Sequence, residues 1–293
     1  MADALAFDIG GTKTLAALVR GRDVLAEASL PTDPAAGPEA WIEAGVSAAA
    51  PWAGRYDRAA AAVTGLVEGG RWSALNPRVL PIPVGFPLED RLRARLGVPA
   101  CALNDAQAAA WGEHRFGAGQ GAADMAFVTI STGIGGGLVL GGRLHRGRAG
   151  LAGHLGVTGM VLDDSPDAVE DRVAGRWIAR EAGRAGHPTD ARGVFAAARA
   201  GEAWAEGIVA VAAARAARLL RNLQLVVAPE RIVLGGGIGL APGFLDALRA
   251  RLDALPEPRR PHLVAAALGA RAGILGAADL ASTQHHVQRR SIA

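Results

Sequence analysis

The chain has 293 residues and a mass of 29.8 kDa, enough for about two domains at ~150 residues each and a substantial core. Half of its residues are apolar and a fifth charged, and 31 Lys and Arg against 28 Asp and Glu leave a net charge of +3, which excludes a disordered tract and gives no sign of a nucleic-acid-binding stripe. The single cysteine, Cys101, excludes an internal disulfide, a cysteine-based zinc finger and an iron–sulfur cluster, and suits a reducing compartment.

The opening MADALAFDIGGTK lacks the basic start and long apolar run of a secretion signal. Residues 5–30 then read as a strand LAFD, a tight turn IGGTK, a strand TLAALV, a turn GRD and a third strand VLAEASL. Helical spacing follows over 39–53 and 90–96. A short strand ends at Asn104, and the helix predicted over 106–116 takes Asp105 as its N-cap. Residues 125–144 repeat the first plan as MAFVTIS, the turn TGIGGG, LVL and GGR, a pattern expected of an internal duplication. The uncharged stretch 125–142 holds six glycines as well as Ser and Thr, and so reads as strands about a turn rather than as a membrane span. Further helices are predicted over 169–185 and 203–225. A strand RIVL leads into a third glycine turn, GGGIG at 235–239, and a closing helix spans 267–281. The expected organisation is two related α/β domains about a cleft. Residues 1–104, completed by the closing helix at 268–282, form the first, residues 105–267 form the second, and 283–293 are a polar tail. A cytoplasmic protein is expected.

Of the 31 basic residues, 30 are arginine and one is lysine, Lys13, directly after Gly10, Gly11 and Thr12. An arginine-biased chain can keep a lysine anywhere, but a compact ammonium also reaches a phosphate where a forked guanidinium would not fit. With Thr12 before the only lysine, no Walker A sequence exists. Each of the three glycine turns follows a strand, where backbone N–H groups converge on an anion, and each singly is also what a hairpin requires. The dinucleotide fingerprint fails: Leu138 and Leu240 stand where its third glycine should be, and GAGQGA at 117–122 follows a helix. The first turn stands apart, because Asp8, Gly10, Gly11, Thr12 and Lys13 offer a carboxylate, bare backbone, a hydroxyl and an ammonium together. Asp105 reads either as a cap alone or as a base for a substrate hydroxyl. His154 and Glu170 read either as structural groups or as site residues. The remaining histidines lack metal-ligand spacing, so no structural zinc is expected.

Together, AFDIGGTKT, ALNP at 74–77, LNDAQAAAWGE at 103–113, TISTGIGGGLV at 129–139 and GLAGHLG at 150–156 resemble the ROK family of sugar kinases, over residues 5 to about 281. The resemblance implies an actin-like, ribonuclease H-like pair of α/β domains and an ATP-dependent phosphotransferase, in the branch that phosphorylates N-acetylmannosamine at its 6-hydroxyl. It implies that Asp8, Gly10, Gly11, Thr12 and Lys13, with Thr132, Gly133, Gly135, Gly136 and Gly137, hold the ATP phosphates, and that Gly235, Gly236 and Gly237 lie near the adenosine. Asp8 would orient Mg²⁺ through water and Asp105 would act as base. Gly65, Asn76, Asn104, Asp105, His154 and Glu170 would line the sugar site. A homodimer is implied; neither nucleic acid nor membrane is an expected partner. The family's repressors place a DNA-binding module before the first phosphate turn, whereas this chain reaches Asp8 at once. Two departures matter. Where most relatives carry a histidine and a three-cysteine zinc loop, this chain has Val157 and a shorter loop without cysteine, so zinc is not expected. Many ROK sugar kinases have glutamate where His154 stands, and histidine there is what points to N-acetylmannosamine over glucose, fructose or N-acetylglucosamine. The shortened loop also leaves room for a non-catalytic sugar sensor as an alternative.

Overall fold

The computed structural model describes residues 3–75, 77, 80–159 and 167–290, the last seven by backbone alone. The chain forms two compact units: unit 1 from Met1–Gly117, Leu144–Ala152 and Ala270–Ala293, and unit 2 from Ala118–Arg143 and Gly153–Gly269.

Unit 1 opens with β1 (Asp3–Ile9), β2 (Lys13–Arg20) and β3 (Asp23–Pro31), the predicted three-strand run, followed by α1 (Pro38–Ala49). Next come β4 (Tyr56–Val63), a hairpin of β5 (Leu66–Glu68) and β6 (Arg71–Ser73), α2 (Leu88–Leu96), β7 (Ala100–Asn104) and α3 (Asp105–Phe116). The main sheet has the order β3-β2-β1-β4-β7, with β1 antiparallel to β2 and parallel to β4. β4 was not foreseen: its centre is four alanines, which favour helix in isolation. Placed between β1 and β7, those alanines are fully buried, and Ala59, Ala61 and Val63 join the core with Trp41, Trp72 and Leu88. Tertiary burial decides the state of such a segment, not propensity.

Unit 2 repeats the plan with β8 (Met125–Ile130), β9 (Ile134–Leu140) and the short β10 (Arg143–His145). It continues through α4 (Glu170–Val173), α5 (Gly175–Arg184), α6 (Ala191–Arg199), α7 (Ala203–Val227), β11 (Arg231–Gly235), α8 (Phe244–Leu252) and β12 (Leu263–Ala265). The order β10-β9-β8-β11-β12 matches that of the first sheet, β11 being parallel to β8 as β4 is to β1. The helices pack around Val128, Ile130, Ile178, Leu220, Leu234 and Phe244. The single helix predicted over 169–185 is two, because Ala174 turns extended at ψ 174° and the Gly175 N–H leaves the helical ladder to donate to the Ser131 carbonyl at 2.7 Å. α6 and α8, nine residues each, were not foreseen; the Asp190 carboxylate caps α6 by accepting from the Gly193 N–H at 2.9 Å.

The chain closes with α9 (Ala272–Arg290), which returns to unit 1 and runs past the expected limit at 282. It packs on α3 so closely that only glycine fits at the crossing: a Cβ on Gly276 would collide with the Ala108 carbonyl oxygen, and one on Gly112 with that of Ala272. Trp111 and Arg115 of α3 also donate to the Asp279 carboxylate, at 2.8 and 3.0 Å. These contacts keep α3 in unit 1, whereas the sequence placed a boundary before it, at 104/105. Gly276→Ala is expected to cost about 1–3 kcal/mol through forced separation of α3 and α9; an unchanged urea midpoint would remove this packing from the stability of the unit.

Candidate active site

In unit 1, Asp8 is the last but one residue of β1, level with Leu15 on β2 and Ala62 on β4. The chain reverses at once: the Gly10 N–H donates to the Lys13 carbonyl at 3.0 Å, and a Cβ at Gly10 would stand 3.2 Å from the same oxygen. A side chain at Gly10 would press on that oxygen, so glycine suits the closeness of the turn. Gly11, Thr12 and Lys13 form the solvent-facing tip. Burial, then the charge of Asp105, push the Asp8 carboxyl up to about 7, while Lys13 opposes them. The N-terminal turn of α9 passes over the Asp8 carboxyl and the backbone of Asp105, since a Cβ at Gly273 would be 3.9 Å from Asp8 Oδ2 and 3.8 Å from the Asp105 carbonyl oxygen. Helix N–H groups there favour negative charge. Two carboxylates, an ammonium and a helix start thus gather at one edge of the sheet, a donor set that fits a water-held Mg²⁺ and phosphate oxygens.

Asn104, not Asp105, is the N-cap of α3. Its Oδ1 accepts from the N–H groups of Ala106 and Gln107 at 2.9 and 3.2 Å, and its Nδ2 donates to the Gly65 carbonyl at 3.0 Å. Asp105 occupies the first helical position, its Oδ1 accepting from the Ala106 N–H at 2.7 Å. The cap is therefore held by the neighbouring amide, and Asp105 is not needed for it. Gly65, at φ 98°, has the Ser73 carbonyl 2.5 Å from where a Cβ would stand, so Gly65, Asn104 and Asp105 are brought together. Asn76, the other expected sugar ligand of this unit, lies outside the described residues. Burial pushes the Cys101 thiol up to about 12, which disfavours the thiolate.

In unit 2, the expected second glycine turn is largely strand. Gly135, Gly136 and Gly137 lie within β9, opposite Thr129, Val128 and Phe127, leaving Thr132 and Gly133 as the turn. Their glycines answer to the segment after the chain enters this unit: a Cβ at Gly136 would be 2.8 Å from the Gly153 carbonyl, and one at Gly156 would collide with that of Ile134. His154 sits in this segment, laid against the bare backbone of β9. Glu170, at the start of α4, also braces the turn: it accepts from the Ile134 N–H at 3.2 Å and pairs with Arg176 at 3.3 Å, and a Cβ at Gly133 would be 2.7 Å from its Oε2. Gly235 ends β11, and Gly236, at φ 85°, turns beneath the Ile130 carbonyl. Thr132 and Gly237 line a cavity of about 860 Å³ together with Arg176, Phe195 and Arg199, which sequence reasoning missed because they come from α5 and α6. Among the described residues no three His, Cys, Asp or Glu side chains cluster as a metal site, and no helix is long and apolar enough to cross a membrane.

A family model described as the ROK family matches residues 4–284. The chain is 56% identical over 282 residues to a bifunctional enzyme NanE/NanK of Brucella melitensis, covering 95% of this chain and 54% of that protein. It thus spans about half the length of the Brucella relatives it matches. To an N-acetylmannosamine kinase of Escherichia coli it is 39% identical over 285 residues, 94% of this chain and 97% of the relative. A ROK family glucokinase of Streptomyces griseus, solved with glucose and AMPPNP, superposes with a TM-score of 0.80 at 30% identity over 96% of this chain and all of that one.

Proposed function

The chain belongs to the ROK family, and from that premise we propose that it is an ATP-dependent sugar kinase that transfers a phosphoryl group to the 6-hydroxyl of N-acetylmannosamine. The observation that carries the reading is the pairing of Asp105 with Asp8 in unit 1, beside Lys13 and under the first turn of α9. Phosphoryl transfer needs positioning and neutralised charge more than covalent chemistry, and this set supplies both. Asp105 accepts the proton of the attacking hydroxyl. Lys13, Thr12 and the Gly11 N–H of the turn hold phosphate oxygens, while the Gly10 N–H closes the turn on the Lys13 carbonyl. Asp8 would hold Mg²⁺, which would supply charge neutralisation on the phosphates. Asn104, by capping α3 while holding Gly65, fixes the helix start that carries the base. His154 and Glu170 bind sugar hydroxyls; Thr132, Gly133 and Gly235 to Gly237 face the nucleotide. The family likeness supports a homodimer working in the cytoplasm.

The identity of the Escherichia coli and Brucella relatives, with histidine at 154, supports N-acetylmannosamine over other hexoses. The test is a coupled ADP-release assay with Mg-ATP over N-acetylmannosamine, N-acetylglucosamine, glucose, mannose and fructose. The expected result is the highest kcat/KM on N-acetylmannosamine, by at least about tenfold. Preference for another hexose would overturn the substrate, and no turnover on any of them would overturn the kinase.

A further inference from the structure

Within unit 2, α6 reads ARGVFAAAR, with an arginine near each end and alanines between. Its Val194 and Phe195 are buried, and Phe195 meets Phe244 edge-on at 5.7 Å, which sets the helix beside the segment that follows the Gly236 turn. Arg192, Ala196 and Arg199, spaced by four and three residues, then share one exposed face. That face lines the cavity of about 860 Å³, and so do Leu240, Ala241 and Pro242. Three guanidinium groups, those of Arg176, Arg192 and Arg199, stand there against one carboxylate, that of Asp190. Arg176 is committed to Glu170 at 3.3 Å, and Asp190 spends Oδ1 on the cap of α6. Arg192 and Arg199 pair with no carboxylate among the described residues. The main chain of 236–244 is largely used within the unit. The Ile238 and Gly239 N–H groups both donate to the Ile130 carbonyl, at 2.9 and 3.0 Å. Those of Leu240, Ala241 and Phe244 donate to the carbonyls of Gly236, Ile238 and Ala241, at 2.9, 3.0 and 3.0 Å. A planar ring entering beside this segment therefore meets apolar surface and arginine donors.

We propose that this slot admits guanine as well as adenine, so that guanosine triphosphate serves as a phosphoryl donor beside ATP. The inference deepens the sugar-kinase reading and rests on it. The reason is the direction of the hydrogen bonds. A guanidinium only donates, through parallel N–H groups, and so calls for two adjacent acceptors. Guanine has them at O6 and N7, whereas adenine sets the N6 amino donor beside N7, so that half of the fork faces another donor. Arg192 and Arg199 flank Ala196, and either can present its fork to the edge of a ring laid over that alanine. Adenine keeps the apolar contact and loses the paired hydrogen bonds.

The test follows sugar phosphate directly by phosphorus NMR, with the best sugar of the panel at saturation and the Mg²⁺ complexes of ATP, GTP, ITP and CTP as donors. The expected result is kcat/KM for GTP within about tenfold of ATP or above it, with ITP, which keeps O6 and N7, close to GTP and CTP at least about tenfold below it. In the full chain carrying both Arg192→Met and Arg199→Met, kcat/KM for GTP should fall at least about tenfold and that for ATP less than about threefold. Dissociation constants for GDP and ADP, from calorimetry on the same two proteins, should show the same split without turnover. GTP more than about tenfold below ATP, or equal losses of both donors in the double variant, would overturn the proposal and leave the kinase standing. If no donor supports turnover, the kinase reading fails while the GDP and ADP affinities still decide on the slot. If neither nucleotide binds, both fall.

Discussion

Asp105→Asn is expected to lower kcat by roughly 10²- to 10⁴-fold while leaving sugar affinity within about threefold. The substitution keeps the size of the side chain and its ability to accept the Ala106 N–H, seen at 2.7 Å, and removes only the basic charge. The helix start does not depend on Asp105, because Asn104 caps α3 and is itself held by Gly65. The loss should therefore appear in turnover and not in folding. It should also relieve Asp8, whose carboxyl is raised partly by the charge of Asp105. The decisive comparison is kcat beside the sugar dissociation constant and the melting temperature of the same protein. Near-normal turnover would remove Asp105 from the role of base; a collapse of sugar binding would make it a ligand first.

What the sequence made legible follows from how local each signal is. The two three-strand runs were readable because alternation and glycine turns lie within thirty residues, and their equal sheet orders, β3-β2-β1-β4-β7 and β10-β9-β8-β11-β12, bear out the duplication. α7 was readable within two residues because its 25 residues hold a sustained period. β4 was hidden because an alanine strand is distinguished from a helix only by the neighbours that bury it. Gly135 to Gly137 were taken for a turn because glycine marks any close approach; here the close approach is to the segment around Gly153 and Gly156, far along the chain. Asn104 and Asp105 are both good caps in adjacent positions, and only the reach of the Asn104 side chain back to Gly65, 39 residues earlier, assigns the cap to it.

Asp8→Asn is expected to raise stability at neutral and alkaline pH while abolishing activity. The Asp8 carboxyl ionises near 7 in the fold against 3.8 as a free side chain, chiefly because it is buried and secondly because Asp105 is charged. A raised carboxyl favours the folded state only while it is protonated. Its contribution is complete below about 3.8, and as the pH rises from there the unfolded chain ionises and gains what the folded chain cannot. The loss grows until the folded carboxyl also ionises near 7, and then levels off. Asparagine is neutral throughout. The variant's advantage should therefore be small at pH 4, increase through pH 5 and 6, and reach a plateau of up to about 4 kcal/mol above pH 7. Urea unfolding across that range in EDTA checks it, and a pH-independent offset between the two proteins would sink the assignment. Adding Mg-ATP should reverse the order, since a ligand that requires the ionised carboxylate stabilises the wild type and not the variant. Stability given up at Asp8 is thus the counterpart of a site held ready for cationic and phosphate charge, and the size of the reversal measures how much of that strain the bound nucleotide relieves.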